Sequence, residues 1–433
     1  MNVRHGITAI LLGLLLVRLG ISADWPQFRG PNAAGKATGE AVPLTWSDDE
    51  NLKWKLKLPG PGSSSPIVVG DRIFVTCYSG YGTPQGDGDI DDLQRHLLCV
   101  DLKSGEKLWE KVISADQPED RYRGLINEHG YASNTPVSDG EHVFAFFGKS
   151  GVAAFDMDGK QLWKVGVGKE SSNRRWGSAA SLILFKDMGI VNAAEESRTI
   201  RALDKQTGEE KWKAEGDALE LCFGTPTLVK QKDGSHELVL AVPGEVWGLH
   251  PDTGKLKWHC ETKLTGNISP TVVADEDGVV YVFGGYQGKG SMAIRTGGEG
   301  DVTDSHVVCT SRITSYVPSP VVHDGHLWCV DDRGIVTCMK TADGEEVFRR
   351  RVEGAGGGFI SRPFYASAVL VGDRLYAPSR NNGTYVVAAK TEFEQLARNE
   401  FESDDSDFNA TPAVAEGCLI LRSNQFLYCV TDK

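Results

Sequence analysis

Short runs of alternating apolar and polar residues, broken by Gly, Asp and Pro, recur along almost the whole chain. Val68-Val69-Gly70-Asp71-Arg72-Ile73-Phe74-Val75 is one such run, folding back on itself at Gly-Asp. Val321-Val322-His323-Asp324-Gly325-His326-Leu327-Trp328 is another, turning at Asp-Gly. A period of two flanking a tight-turn dipeptide predicts antiparallel hairpins, not helices.

The hairpins belong to a longer repeat. A small residue, an apolar residue and Asp precede a Gly-containing turn and then a Trp. The clear copies are Cys99-Val100-Asp101 with Trp109, Ala154-Phe155-Asp156 with Trp163, Ala202-Leu203-Asp204 with Trp212, and Gly248-Leu249-His250 with Trp258. Degenerate copies read as Cys338-Met339-Lys340 with Phe348 and Ala388-Ala389-Lys390 with Leu396. Between them a Ser/Thr-Pro pair opens each β-rich run, at Ser65, Thr135, Thr225, Ser269, Ser319 and Thr411, with weaker equivalents near Ala179-Ala180 and Ser367-Ala368. The starts are mostly about 45 residues apart, which suits a four-stranded unit that must stack on neighbours to bury both faces. The expectation is an all-β, eight-bladed β-propeller of four-stranded antiparallel blades, in one domain over residues 24–433.

The ends test this arrangement. The last unit, Thr411–Lys433, stops after a third strand, whereas Asn51–Leu58 is a fourth strand carrying Trp54 with no first three of its own. Pairing the two closes the ring and hides two sheet edges. The recurrent Trp residues are expected to dock blade on blade.

Composition narrows the class. Fifty glycines suit many tight turns, and a formal net charge of −13 argues against a nucleic-acid groove. Residues 1–23 have the shape of a secretory signal: Arg4 and His5, the apolar run Ile7–Val17, then Ser22-Ala23. About eleven apolar residues are too few for a spanning helix, which needs about 20. Export to the periplasm or the extracellular space follows, with no transmembrane span beyond that segment and a monomeric state expected. Nine cysteines are an odd number, so at least one is unpaired within the chain. The register makes Cys99, Cys338 and Cys429 packing residues in a slot otherwise held by Ala or Gly; a Cys77–Cys99 disulfide is the alternative.

The (Ala/Cys)-x-Asp-x-x-(Thr/Ser)-Gly-x-x-x-Trp pattern resembles the tryptophan-docking motif of pyrroloquinoline-quinone (PQQ)-repeat propellers. That superfamily includes quinoprotein alcohol dehydrogenases and the BamB outer-membrane assembly factors. Trp25-Pro26-Gln27-Phe28-Arg29-Gly30-Pro31 is similar to the start of many exported bacterial PQQ-like proteins. The resemblance implies the fold across the mature chain, while one propeller hosts many activities. It also implies two functions. One is a binding scaffold for a protein or cell-envelope ligand. The other is a PQQ-dependent oxidoreductase acting on an alcohol or sugar, with calcium polarising the quinone and Glu128 as general base. The enzymes' adjacent Cys-Cys pair and a matching calcium motif are not found in this chain, nor is the Cys-x-x-Cys-His haem signature.

Propeller chemistry sits on loops at one mouth of the channel. The connections from each fourth strand to the next first strand supply Glu128 and His129 as catalytic candidates, and Arg175, Trp176, Asn267 and Asn409 as ligand-binding candidates. The same connections hold Arg121, Tyr122, Arg123, Tyr131, Glu220, Tyr316 and Arg362. Glycan binding at the Trp176 mouth is a third reading. Asp87, Asp89 and Asp91 carry carboxylates at alternate positions like the start of a calcium loop, but Leu98 stands where a bidentate Glu belongs. No metal or quinone cofactor is assigned from these residues.

Overall fold

The computed structural model describes residues 24–83, 86–115, 118–355 and 362–432. The expected signal segment, residues 1–23, lies outside the described residues, as does part of the Gly354–Gly358 linker. Among the described residues no helix is long and apolar enough to cross a membrane.

Eight antiparallel sheets follow one another around a ring. Blade 1 contains Ile67–Val69, Arg72–Ser79, Gln94–Asp101 and Lys107–Ser114. Blades 2 to 7 start with their inner strands at Val137, Ile183, Thr227, Val273, Val321 and Val369. Each of these starts within a few residues of its Ser/Thr-Pro or equivalent pair, as expected. Pro fits there because the first residue of an inner strand needs no ladder N–H. In blade 8, Ala413–Ala415, Cys418–Arg422 and Phe426–Val430 are completed by Leu52–Lys57, with Trp54 opposite Cys429. The ring is closed as the unfinished ends predict.

The repeat motif now has a physical reading. Trp109, Trp163, Trp212 and Trp258 lie directly opposite Cys99, Ala154, Ala202 and Gly248, and a bulge follows each pair. A large ring across the ladder requires a small partner. The indole N–H then reaches the next blade: Trp54 donates to Leu102 O, Trp109 to Met157 O, Trp163 to Lys205 O and Trp212 to Pro251 O, each at 2.9 Å. Each acceptor sits in the neighbour's turn, which Asp101 and Asp204 brace by accepting backbone N–H bonds from the residues that follow. The turn Gly has φ near +75° and lies under the ring; a Cβ on Gly105 would be 2.5 Å from Trp54. All nine cysteines are free, and Cys77 faces His96 instead of Cys99.

One register differs from the sequence reading, and one blade departs from the repeat. In blade 7 the small-residue slot is held by Val386, opposite Ala397, so Ala388 takes the Asp position and Leu396 is not the docking residue. Its turn carries neither Asp nor Gly-Trp spacing to mark the register. In blade 5 the third and fourth strands are separated by an insertion. Its short strand Gly300–Asp301 pairs parallel to blade 4's Leu256–Glu261, and Cys309 occupies the Trp slot opposite Ala293. Cys309 Sγ meets Gly344 of blade 6 as a Trp would.

The N-terminal segment ahead of the closing strand forms a strap across the channel. Trp25 exchanges backbone hydrogen bonds with Val68 of blade 1, and Pro26 O accepts from Ser138 N of blade 2. Arg29, fully buried, donates to Ala33 O, Ser319 O and Pro320 O, the last two on blade 6. Lys36–Ala37 then pairs parallel with Leu370–Val371 of blade 7. Burial draws the Arg29 guanidinium down to about 10, so it stays charged at neutral pH, and carbonyl oxygens surround it.

Candidate functional site

Inner strands run down the channel wall, so a residue repeated at the same strand position in every blade forms a belt. In six blades that residue is the Ser/Thr of the strand-opening pair; in blades 3 and 5 it is Ser181 and Thr271, two residues beyond the Ala179 and Ser269 starts expected from the sequence. Ser65 N donates to Thr135 Oγ1, Thr135 N to Ser181 Oγ and Ser181 N to Thr225 Oγ1. Thr271 N donates to Ser319 Oγ, Ser319 N to Ser367 Oγ and Ser367 N to Thr411 Oγ1. Each link ties one blade to the next and satisfies a buried N–H. The hydroxyl hydrogens themselves are given to no protein group among the described residues.

The belt lines a chamber of about 160 Å³, whose wall also includes Phe28 of the strap. It is bordered by the connections between blades. They bring Glu128, His129, Trp176, Phe223, Tyr316, Tyr365 and Asn409 to the chamber wall. Of the sequence candidates, Glu128, His129, Trp176 and Asn409 are therefore together. Arg175 is exposed on the rim, at φ +54°, and Asn267 is buried beside the chamber with Nδ2 donating to Ser269 Oγ at 3.3 Å.

The chamber's ionisable groups are engaged. Glu128 is ion-paired with Arg380, whose other arm holds Asp407, and Asn409 Nδ2 donates to Glu128 O at 2.9 Å. His129 Nε2 lies 2.9 Å from Trp176 O, which can only accept, so Nε2 carries the proton. Nδ1 then accepts from Ser133 Oγ at 2.6 Å. Burial holds the imidazole below its usual value, in the neutral form. Both ring nitrogens of His129 are thus engaged, while Glu128 commits Oε2 to Arg380.

The long connection that carries them is anchored. Tyr131 packs edge-on against Tyr78 at 5.4 Å and donates to Asp120 O, while Glu119 pairs with Arg95 at 2.9 Å and Asp120 with Lys149 at 3.0 Å. Asp89 and Asp91 form a local turn in which Asp89 Oδ1 accepts from Asp91 N. Asp87 belongs to the short strand Gly86–Gly88. Among the described residues no group of three or more His, Cys, Asp or Glu is arranged to hold a metal.

The aromatic rim is backed by arginines: Arg174 lies 5.6 Å from the Trp176 ring centre, Arg362 4.1 Å from Tyr316 and Arg380 4.8 Å from Tyr365. The strap, Tyr365, Phe223 and Arg380 were not among the sequence candidates. The Ser/Thr-Pro repeat marked the belt in the other blades but placed it two residues too early in blades 3 and 5, where Ser181 and Thr271 are not followed by Pro.

A sequence profile described as the outer membrane protein assembly factor BamB matches residues 93–350, more than half of the chain. The chain belongs to the BamB family. A BamB of Burkholderia pseudomallei is 23% identical over 354 residues, covering 78% of this chain and 79% of that one. A polyvinylalcohol dehydrogenase of a Pseudomonas species is 24% identical over 236 residues, covering 39% of this chain and 37% of the enzyme. The chain thus spans less than half the length of that enzyme. The crystal structure of BamB from Moraxella catarrhalis superposes with a TM-score of 0.61 at 14% identity, over 88% of this chain and 97% of that one. At that identity the likeness establishes the fold alone.

The quinone of the PQQ-repeat dehydrogenases can be tested against this BamB-family chamber. PQQ carries three carboxylates, and a buried carboxylate needs cations or several N–H donors. Among the described lining residues there is no Lys or Arg, and the nearby Arg380 is already committed to Glu128 and Asp407. The cysteines supply no adjacent pair to stack on the quinone ring. The residues present do not fit the group.

Proposed function

We propose that this chain is an exported binding module that holds a protein client during outer-membrane assembly, through the loop face opposite the strap. The reading is carried by one observation: His129 has both ring nitrogens engaged, by Ser133 and Trp176, and Glu128 is held on Arg380 instead of on His129. A rigid face without a poised proton shuttle suits binding better than oxidation. Family membership supports the same reading, because its relatives carry the name of outer-membrane assembly factors.

The charge of this face favours an acidic client surface. Arg121, Arg123 and Arg175 are exposed and make no ion pair among the described residues, on a chain of net charge −13. Gly124 lies beside the Trp176 indole, so the two arginine-bearing loops are neighbours. Opposite potentials would steer encounter and fix orientation.

Deleting the gene in its native host tests the proposal. Outer-membrane β-barrel proteins should become scarcer, and be restored by the intact gene but not by the Arg123→Glu/Arg175→Glu double variant. An unchanged barrel content in the deletion strain would contradict the reading.

A further inference from the structure

We infer that the channel chamber is a subsite for an uncharged sugar unit, so that the client or the envelope surface it contacts presents a neutral glycan; this rests on the binding-module reading and gives it a ligand chemistry. Two buried polar atoms at the chamber wall lack any partner: Ser65 Oγ and Asn409 Oδ1, on residues 1% and 8% exposed. An amide oxygen needs a donor, and a hydroxyl can serve or be served. Next to them Ser181, Thr225, Ser319, Ser367 and Thr411 accept from neighbouring amides and keep their own O–H hydrogens for something in the channel.

The ligand must therefore both donate and accept over a short distance. An alcohol group does both. A hydrocarbon side chain would leave Ser65 and Asn409 unsatisfied and lose the desolvation it cost to bury them. Among the described residues of the wall an anion would meet no Lys or Arg, and a cation would find the Glu128 carboxylate already paired with Arg380. The rest of the surface is aromatic. Trp176, Phe223, Tyr316 and Tyr365 border the chamber, with one side of Tyr316 covered by Arg362. A pyranose combines these demands: C–H faces for the rings and a hydroxyl edge for the belt. The space of about 160 Å³ would otherwise hold about ten waters, enough for one ring.

Ligand-observed NMR on the full chain labelled with 5-fluorotryptophan tests this, using glucose, galactose, mannose and N-acetylglucosamine as probes. At least one should show saturation transfer and shift the indole signal that disappears in Trp176→Phe. Ser65→Ala should weaken that sugar about tenfold while leaving the melting temperature unchanged or raised, because it removes an unpaired buried hydroxyl. The inference is overturned if galacturonate or glucose 6-phosphate binds more tightly than every neutral sugar, or if phenylalaninamide enters the chamber and no sugar does. Silence from all probes at saturating concentration overturns it too. The deletion assay reads the arginine face and the NMR reads the chamber. A propeller that supports assembly yet ignores every sugar would therefore sink this inference alone.

Discussion

Trp212 joins two blades through a single side chain: its N–H reaches Pro251 O and its ring covers Gly254. Replacing such a buried ring with Ala is expected to cost about 3–5 kcal/mol, read as a lower urea midpoint. The turn glycines should be sensitive for two separable reasons. Gly208 and Gly244 both have positive φ, but a Cβ on Gly208 would lie 2.8 Å from Trp163, whereas nothing lies within 4 Å of one on Gly244. Gly208→Ala should therefore be worse than Gly244→Ala, with backbone strain of about 1–3 kcal/mol common to both. Equal effects would mean that the docking ring is not packed on the turn. A further residue-scale property is the pair Glu195 and Glu196, buried between blades 2 and 3 next to Asp120 and Glu119, with Arg95 and Lys149 also at the cavity wall. Burial pushes Glu195 up to about 7 and Glu196 up to about 8, with the neighbouring carboxylates adding to it. A carboxyl raised on folding binds more protons in the native state. Its contribution is complete below the unfolded value of about 4.5 and is lost as pH rises through the folded value. The stability gained by Glu196→Gln relative to wild type should thus grow from pH 5 to pH 9, by up to a few kcal/mol. A pH-independent difference would show that Glu196 is charged in the folded protein.

At the scale of elements, the closing strand Leu52–Lys57 joins the last blade from the far end of the sequence, with no hairpin to hold it. Trp54→Ala removes its anchor on Leu102 and Gly105, so amides of Phe426–Val430 should exchange faster with deuterium. Trp109→Ala should leave those same amides protected. What the sequence could and could not reveal also separates at this scale. Blades with Asp, turn Gly and Trp were legible because each residue has a local job. Blade 7 slipped by two residues because its slot holds Val386 and its outer strand Ala397, which carry no such marks. The strap was illegible for another reason: Arg29 finds its acceptors 290 residues away, and no local pattern records that pairing. For the same reason loop position alone brought Glu128, His129, Trp176 and Asn409 to one wall but could not tell that the first two are tied, or that Arg175 turns outward.

At the scale of the molecule, ring closure makes a rigid cylinder, and the strap decides what its axis can be used for. With Phe28 and Arg29 across one end, the channel becomes a chamber with a single face to offer, and that face carries unpaired arginines and half-buried aromatics on an acidic body. Rigid scaffold and variable loops are the usual division of labour in this architecture. The absence of Lys and Arg among the described residues of the chamber wall is the property on which the choice between binding module and quinone enzyme turns. Calorimetric titration of the purified protein with PQQ in excess calcium, with dye reduction followed in parallel, tests it most directly. The account expects no saturable heat at micromolar quinone and no reduction of the dye with alcohols or sugars. Stoichiometric, tight quinone uptake would contradict it.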